Sequence, residues 1–201
     1  MNEKRNGALD RYPIEKMRAG RPSVTVKEDG AVIFYLYAPA AKIVQVAGLG
    51  GYFTNKKIDL MPDGQGGFFA EVQDFHWGMH YYFWYVDGVR ICNPYAGISY
   101  GCFAAINTFE VQEKNVDFYF AKDIPHGTVS ICKYVSKVSS QLKECYVYTP
   151  YGYEEGDERY PVLYLQHGVG ESETGWIWQG KANLIMDCLI AEGKCEKMIV
   201  V

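Results

Sequence analysis

Tyr160-Pro-Val-Leu-Tyr-Leu-Gln-His-Gly-Val-Gly170, running on to Gly175-Trp176, is the stretch on which the reading of this chain turns. Its apolar run, Val162 to Leu165, is introduced by a proline and stops abruptly at His167-Gly168. Such a run reads as a strand buried on both faces of a parallel sheet. The Gly168-x-Gly170 that follows frees the backbone from the Cβ constraint. Main-chain N–H groups there can turn toward a ligand, as an oxyanion hole requires. A helical pattern begins about ten residues later, as expected of a βαβ unit. The stretch taken alone fits a plain strand-to-helix turn equally well, since glycine-rich turns of this kind are common.

Outward from this stretch the composition sets the frame. A chain of 201 residues accommodates one large domain or two modest ones with a real core. The net charge of −4 is spread among interspersed acids and bases, which argues against a nucleic-acid stripe or a polybasic membrane patch. No stretch has the length of a transmembrane helix. Residues Met1 to Asp10 lack the apolar core of a signal peptide, so the chain reads as cytoplasmic as written. A secreted location requires that a leader has been removed. Cys92, Cys102, Cys132, Cys145, Cys188 and Cys195 form no CxxC pair and no zinc spacing. Free thiols in a reducing compartment, with no metal and no cofactor, are the expectation.

Residues 1–21 are polar and weakly patterned and read as an N-terminal tail. From Pro22 the texture becomes short β-like runs separated by turn residues. These are Ser23–Val26, Ala31–Ala38, Lys42–Ala47, Ile58–Leu60, Phe68–Val72, His80–Val86 and Val89–Cys92. Asp87-Gly88 is a hairpin signal, and Asn93-Pro94 ends the last of these runs. Short strands at this spacing describe a β-sandwich. Residues 112–127 read as a linker. Two further strands, Thr128–Lys137 and Leu142–Thr149, precede the opening stretch. Lys181–Glu192 reads as a helix, with Leu184, Cys188 and Ala191 on one face and Gly193 as its stop. Met198–Val201 begins another buried strand.

The aromatic strand invites a binding role. Trp77, Tyr82 and Trp84 are flat rings that suit a sugar face. Yet His80, Tyr82, Trp84 and Val86 share one face at period two, and Tyr81, Phe83 and Tyr85 share the other. One of those faces must be core, and packing is the commoner fate of such a strand. His76 and His80 are four apart and read as structural, because strand spacing does not converge them on a metal.

Two resemblances arise from these motifs. Val32 to Pro39, Val44 to Ala47, Asp63-Gly64 to Phe69, Gly78 to Val86-Asp87-Gly88, and Asn93-Pro94 resemble an early-set immunoglobulin-like domain, related to family 48 carbohydrate-binding modules, over residues 22–111. The second rests on Ile124-Pro-His-Gly127, Val147 to Tyr153, Tyr160 to Gly168, Gly175-Trp176, Gly180-x-Ala-Asn183, Asp187 to Lys194 and Met198-Ile-Val200. Together they resemble the opening of carbohydrate esterase family 1, the feruloyl esterase and esterase D group. The implied fold is a β-sandwich followed by the N-terminal part of an α/β-hydrolase fold, over residues 128–201.

The second resemblance implies serine-nucleophile ester hydrolysis on feruloylated or acetylated polysaccharide or oligosaccharide. It assigns His167, Gly168, Val169 and Gly170 to an oxyanion loop, with the Val169 N–H as one donor. It places Trp176 in the wall of a substrate cleft, where packing against the first helix is the competing role. The sequence departs from the family at one point: it contains no Gly-x-Ser-x-Gly. Gly170-Glu-Ser-Glu-Thr174 lacks the closing glycine, so Ser172 is not the nucleophile. The expectation is an N-terminal portion truncated before the nucleophile elbow. It would be inactive alone and prone to self-association through an incomplete sheet. The alternative is a glycan-binding module joined to a non-catalytic hydrolase remnant.

Overall fold

The computed structural model describes residues 21–48, 56–101 and 103–201. The expected N-terminal tail, apart from Arg21, and the Cys102 thiol therefore lie outside the described residues. The described chain is mostly β-sheet with few helices. Its described residues divide into two compact units, one of residues 21–48, 56–99 and 104–115, the other of residues 100, 101, 103 and 116–201.

The first unit is built from two sheets around one core. Strands β1 (Val24–Val26), β2 (Val32–Tyr37), β5 (Met61–Pro62) and β6 (Gly67–Val72) form a sheet of order β1-β2-β6-β5. The other sheet contains β3 (Val44–Gly48), β4 (Lys57–Asp59), β7 (Gly78–Val86), β9 (Ile98–Gly101) and β10 (Ala104–Val111), in the order β4-β3-β7-β10-β9, with β8 (Val89–Ile91) paired to β7. Alternate residues of both sheets meet in the core: Val32, Phe34, Phe68 and Ala70 from one, Val44, Val46, Tyr82, Trp84 and Phe109 from the other. Phe34 is its centre, with the rings of Tyr82 and Phe109 edge-on at 5.7 and 5.5 Å.

Turn chemistry fixes the registers. Asp87 and Gly88 both take positive φ, 48° and 84°, in the two-residue turn that pairs Val86 with Val89. The Asp87 carboxylate then accepts from the N–H groups of Lys42 and Ile43. Asn93 is buried, donates through its main chain to the Asn107 side chain at 2.7 Å, and donates through Nδ2 to Ser23 Oγ at 2.7 Å. Buried amides of this kind must be satisfied, and this set is. Strands β9 and β10 lie beyond the runs named from sequence.

In the second unit, β11 (Thr128–Val135), β12 (Leu142–Thr149), β14 (Ile199–Val200) and β13 (Val162–Leu163) form a sheet of order β11-β12-β14-β13. β11 and β12 are antiparallel, and β13 runs parallel to β14. A short helix, α1 (Gly175–Trp178), and a longer one, α2 (Ala182–Ala191), complete the unit. Tyr148, Met186 and Val200 form the core between α2 and the sheet. Gly193 at φ 67° closes α2: its N–H donates to the Ile190 carbonyl and that of Lys194 to the Leu189 carbonyl.

Two sequence expectations are corrected here. Val162 and Leu163 are not buried on both faces but 44% and 41% exposed, because β13 has a partner on one side only among the described residues. Ala191 is exposed rather than on the buried face, which instead carries Ala182, Leu184, Met186, Asp187 and Cys188.

Candidate functional site

The parallel pair β13–β14 creates a site by topology. Both strands end at the same edge, and ligands of α/β sheets bind beyond the carboxyl ends of such strands. A cleft of about 720 Å³ lies there, lined among others by Tyr164, Leu165, Gln166, His167, Trp176 and Val201. The strand geometry continues past the named ends, since the Leu165 N–H donates to the Val201 carbonyl at 2.8 Å. The chain then leaves the sheet at His167.

The loop that follows is held by its own groups and by the Phe103 N–H, which donates to the Gly170 carbonyl at 2.8 Å. His167 Nδ1 lies 2.9 Å from the Gly168 carbonyl, which accepts a hydrogen bond from that ring nitrogen. The Gly168 N–H donates to the Glu171 carboxylate at 3.1 Å, and the Glu171 N–H returns to the Gly168 carbonyl at 3.2 Å. Gly170 takes φ 82°, a conformation in which a side chain is strained. Between these two anchored glycines stands Val169, 89% exposed, and no described group accepts from its N–H. Across His167–Gly170 only the Gly168 N–H is engaged, so the main-chain donors of His167, Val169 and Gly170 are unclaimed among the described residues, and that of Val169 stands between the two glycines. Ser172 Oγ is engaged with Thr174 Oγ1 at 2.8 Å, within the turn that leads into α1.

Trp176 stands on α1, half-exposed, on the cleft wall. Its Nε1–H donates to the Gln166 carbonyl at 3.1 Å, tying the helix to the outgoing strand. Its side chain also closes on Gly180, where a Cβ would come within 2.9 Å of the indole. Trp176 therefore both lines the cleft and packs.

The residues considered for sugar stacking separate. Trp77 is 64% exposed. Tyr82 and Trp84 have no exposed surface at all, which corrects their assignment as stacking faces. They fill the core because β7 is an inner strand whose Tyr82–Trp84 face meets the opposite sheet. His80 is held by the His76 carbonyl at 2.7 Å and stacks on Phe109, and burial pushes its pKa below the ordinary histidine value. Among the described residues no group of three His, Cys, Asp or Glu side chains could hold a metal.

A second polar cluster went unnoticed in the sequence. Asp187 on α2 is buried, and its carboxylate accepts from the Gly127 N–H at 2.9 Å and from the Tyr148 hydroxyl at 2.8 Å. His126 Nδ1 faces its other oxygen at 2.8 Å. That hydrogen bond raises the His126 pKa above the ordinary value, helped by the Lys122 carbonyl at Nε2. Burial, followed by the Asp187 bond, raises that of Tyr148 strongly. The cluster anchors residues 126–127 to the helix. The signal was present as Ile124-Pro-His-Gly127 and Asp187, but nothing in the spacing joins two groups about sixty residues apart.

Comparison with known proteins is consistent in kind. Residues 138–201 match the family model described as "Putative esterase". The chain is 38% identical over 199 residues to the endo-1,4-beta-xylanase/feruloyl esterase of Xylanibacter ruminicola, covering 96% of this chain and 27% of that protein. It thus spans about a quarter of the length of that relative. The enterochelin esterase of Shigella flexneri shares the fold at a TM-score of 0.61 and 14% identity, over 92% of this chain and 55% of that one. The feruloyl esterase module of Clostridium thermocellum is 32% identical over 42% of this chain and 29% of that one, with a TM-score of 0.37. Residues 138–201 are thus similar to an esterase family model, and the chain to part of a protein named for xylan and feruloyl ester hydrolysis.

Proposed function

We propose that this chain is the N-terminal portion of a carboxylic ester hydrolase of the carbohydrate esterase family 1 type, acting on feruloylated or acetylated plant polysaccharide. In this reading residues 22–111 are an early-set immunoglobulin-like domain, and residues 128–201 open an α/β-hydrolase domain. The observation that carries it is the 38% identity, across nearly the whole chain, to a protein named for feruloyl ester hydrolysis. The unclaimed Val169 N–H beside the cleft supports it.

The chemistry assigned to these residues is electrostatic. A serine attacking the ester carbonyl drives charge onto the carbonyl oxygen, and a fixed N–H stabilises that charge in the transition state. In this reading Val169 supplies one such donor, in a loop fixed by the Glu171 anchor on Gly168 and the left-handed turn at Gly170. The cleft wall at Trp176 offers an aromatic face to an aryl acid. The 201 residues contain no Gly-x-Ser-x-Gly, so they do not supply the nucleophile.

The test is methyl ferulate hydrolysis by the encoded polypeptide that contains these residues, compared with its Val169→Pro variant. Proline removes the N–H, and loss of one oxyanion donor costs about 10²–10³-fold in kcat. An encoded polypeptide with no activity on feruloyl or acetyl esters overturns the proposal. So does a correctly folded Val169→Pro variant with undiminished kcat, as far as the loop is concerned.

A further inference from the structure

Cys132 on β11 and Cys145 on β12 are directly opposite each other in the antiparallel ladder. Opposed residues of such a ladder project to the same face of the sheet. Both are free thiols; Cys132 is exposed, and Cys145 is half-buried and lines the cleft. Cys92, Cys188 and Cys195 have no cysteine opposite them in any ladder of the described residues. The pairing is therefore specific to these two.

The register also predicts what kind of bond they would make. The Ser136 N–H donates to the Gln141 carbonyl at 2.9 Å, just beyond the Val135–Leu142 pair. In an antiparallel ladder this makes Val135–Leu142 a non-hydrogen-bonded pair, and pair types alternate. Three steps back, Cys132–Cys145 is a hydrogen-bonded pair, with Cα atoms about 5.5 Å apart. A disulfide accepts that Cα separation but needs its Cβ atoms about 3.5–4.5 Å apart. Opposed Cβ atoms stand about 4.5–5.5 Å apart, and hydrogen-bonded pairs lie at the wide end. Closure must draw the strands together locally, and a bond made under such strain is easily reduced. β11 is at the end of its sheet, so it can shift toward β12 without disturbing an outer strand.

We infer that Cys132 and Cys145 form a reversible cross-strand disulfide, a thiol–disulfide modification site on the β11–β12 hairpin whose oxidant is a small disulfide such as oxidised glutathione. This stands independently of the esterase reading. The exposed Cys132 thiolate attacks oxidised glutathione, forming a mixed disulfide and expelling one glutathione thiolate. The Cys145 thiolate then attacks the Cys132 sulfur, expelling the second. Two protein thiols are oxidised, one glutathione disulfide is reduced to two thiols, and the two thiol protons pass to them. Burial raises the Cys145 pKa, so the second step speeds up as pH rises.

The experiment is oxidation of the whole chain with oxidised glutathione, acid quench, alkylation and tryptic mapping. Residues 123–133 and 144–159 are the tryptic peptides that carry the two cysteines. The expected product joins these two peptides within one chain, two hydrogen atoms lighter than the reduced pair and without glutathione. Excess reduced glutathione should return it to two thiols. Cys145→Ser should stop at a glutathione adduct on Cys132, which separates a blocked second step from an unreactive first thiol. A persistent glutathione adduct on wild-type Cys132, a link to another cysteine or to a second chain, or no reaction at either residue overturns the site. A bond that survives excess reduced glutathione overturns its reversibility.

Discussion

The Tyr148 hydroxyl donates to the Asp187 carboxylate at 2.8 Å, joining the middle of the sheet to the buried face of α2. Because the Gly127 N–H and His126 converge on the same carboxylate, one acid organises a strand, a helix and the segment that leads into β11. A buried carboxylate survives only with such partners.

Asp187→Ala should lower the unfolding free energy of the second unit by about 3 kcal/mol, since it strands a buried hydroxyl and a main-chain donor. Tyr148→Phe should cost about 1–2 kcal/mol, because the carboxylate keeps its other two partners. Urea unfolding followed by tyrosine and tryptophan fluorescence measures both. An Asp187→Ala loss below that of Tyr148→Phe would contradict the central place given to the acid.

The His126 pKa is raised in the folded state, so its contribution is complete below the ordinary histidine pKa of about 6.5 and fades as pH rises through the folded value. The imidazole is 41% exposed, so the effect is screened to a fraction of a buried pair's. Melting temperature should fall slightly on going from mildly acidic to mildly alkaline buffer, and His126→Gln should flatten that slope. A slope unchanged in the variant assigns it to another group.

Trp84→Ala should destabilise the first unit by about 3–5 kcal/mol, the cost of emptying a buried aromatic site. Trp77→Ala should leave stability within about 0.5 kcal/mol, because its ring is exposed. The glycan-binding alternative now rests on Trp77 among the three aromatics, and a xylan pull-down of that folded variant tests it. Retention equal to wild type removes the ring from any binding face.

β13 and the residue after it present Val162, Leu163 and Tyr164 at 44%, 41% and 75% exposure on a sheet margin. The 201-residue chain should therefore associate in a concentration-dependent way, and Leu163→Lys should reduce it, as charge on an edge strand does. Light scattering across a dilution series reads this out. A monomer at all concentrations would count against the exposed margin as a contact surface.

The 201-residue chain by itself should not turn over methyl ferulate, since it has no nucleophile elbow. Turnover above that of heat-treated protein would require a nucleophile within the 201 residues, with Ser172 the first to replace by alanine.

Much of the local structure was legible in the order of residues. Asp87-Gly88 specified its turn because a two-residue hairpin needs positive φ twice, and Gly193 ended its helix for the same backbone reason. The His167-to-Gly170 loop was legible as a turn that exposes main-chain donors, and the structure leaves the Val169 N–H unclaimed. What the residues alone did not decide was which surfaces would meet. Alternation along β7 names two faces, but only the packing of the opposite sheet made Tyr82 and Trp84 core and left Trp77 outside. The run at Val162 looked buried because it is apolar; its exposure depends on which strand lies beside it. The place of Asp187 as a buried anchor follows from Gly127, His126 and Tyr148, which reach it from elsewhere in the chain. Local backbone preference acts over a few residues and can be read in sequence. Burial and polar pairing depend on contacts between distant residues, and only the tertiary structure decides them.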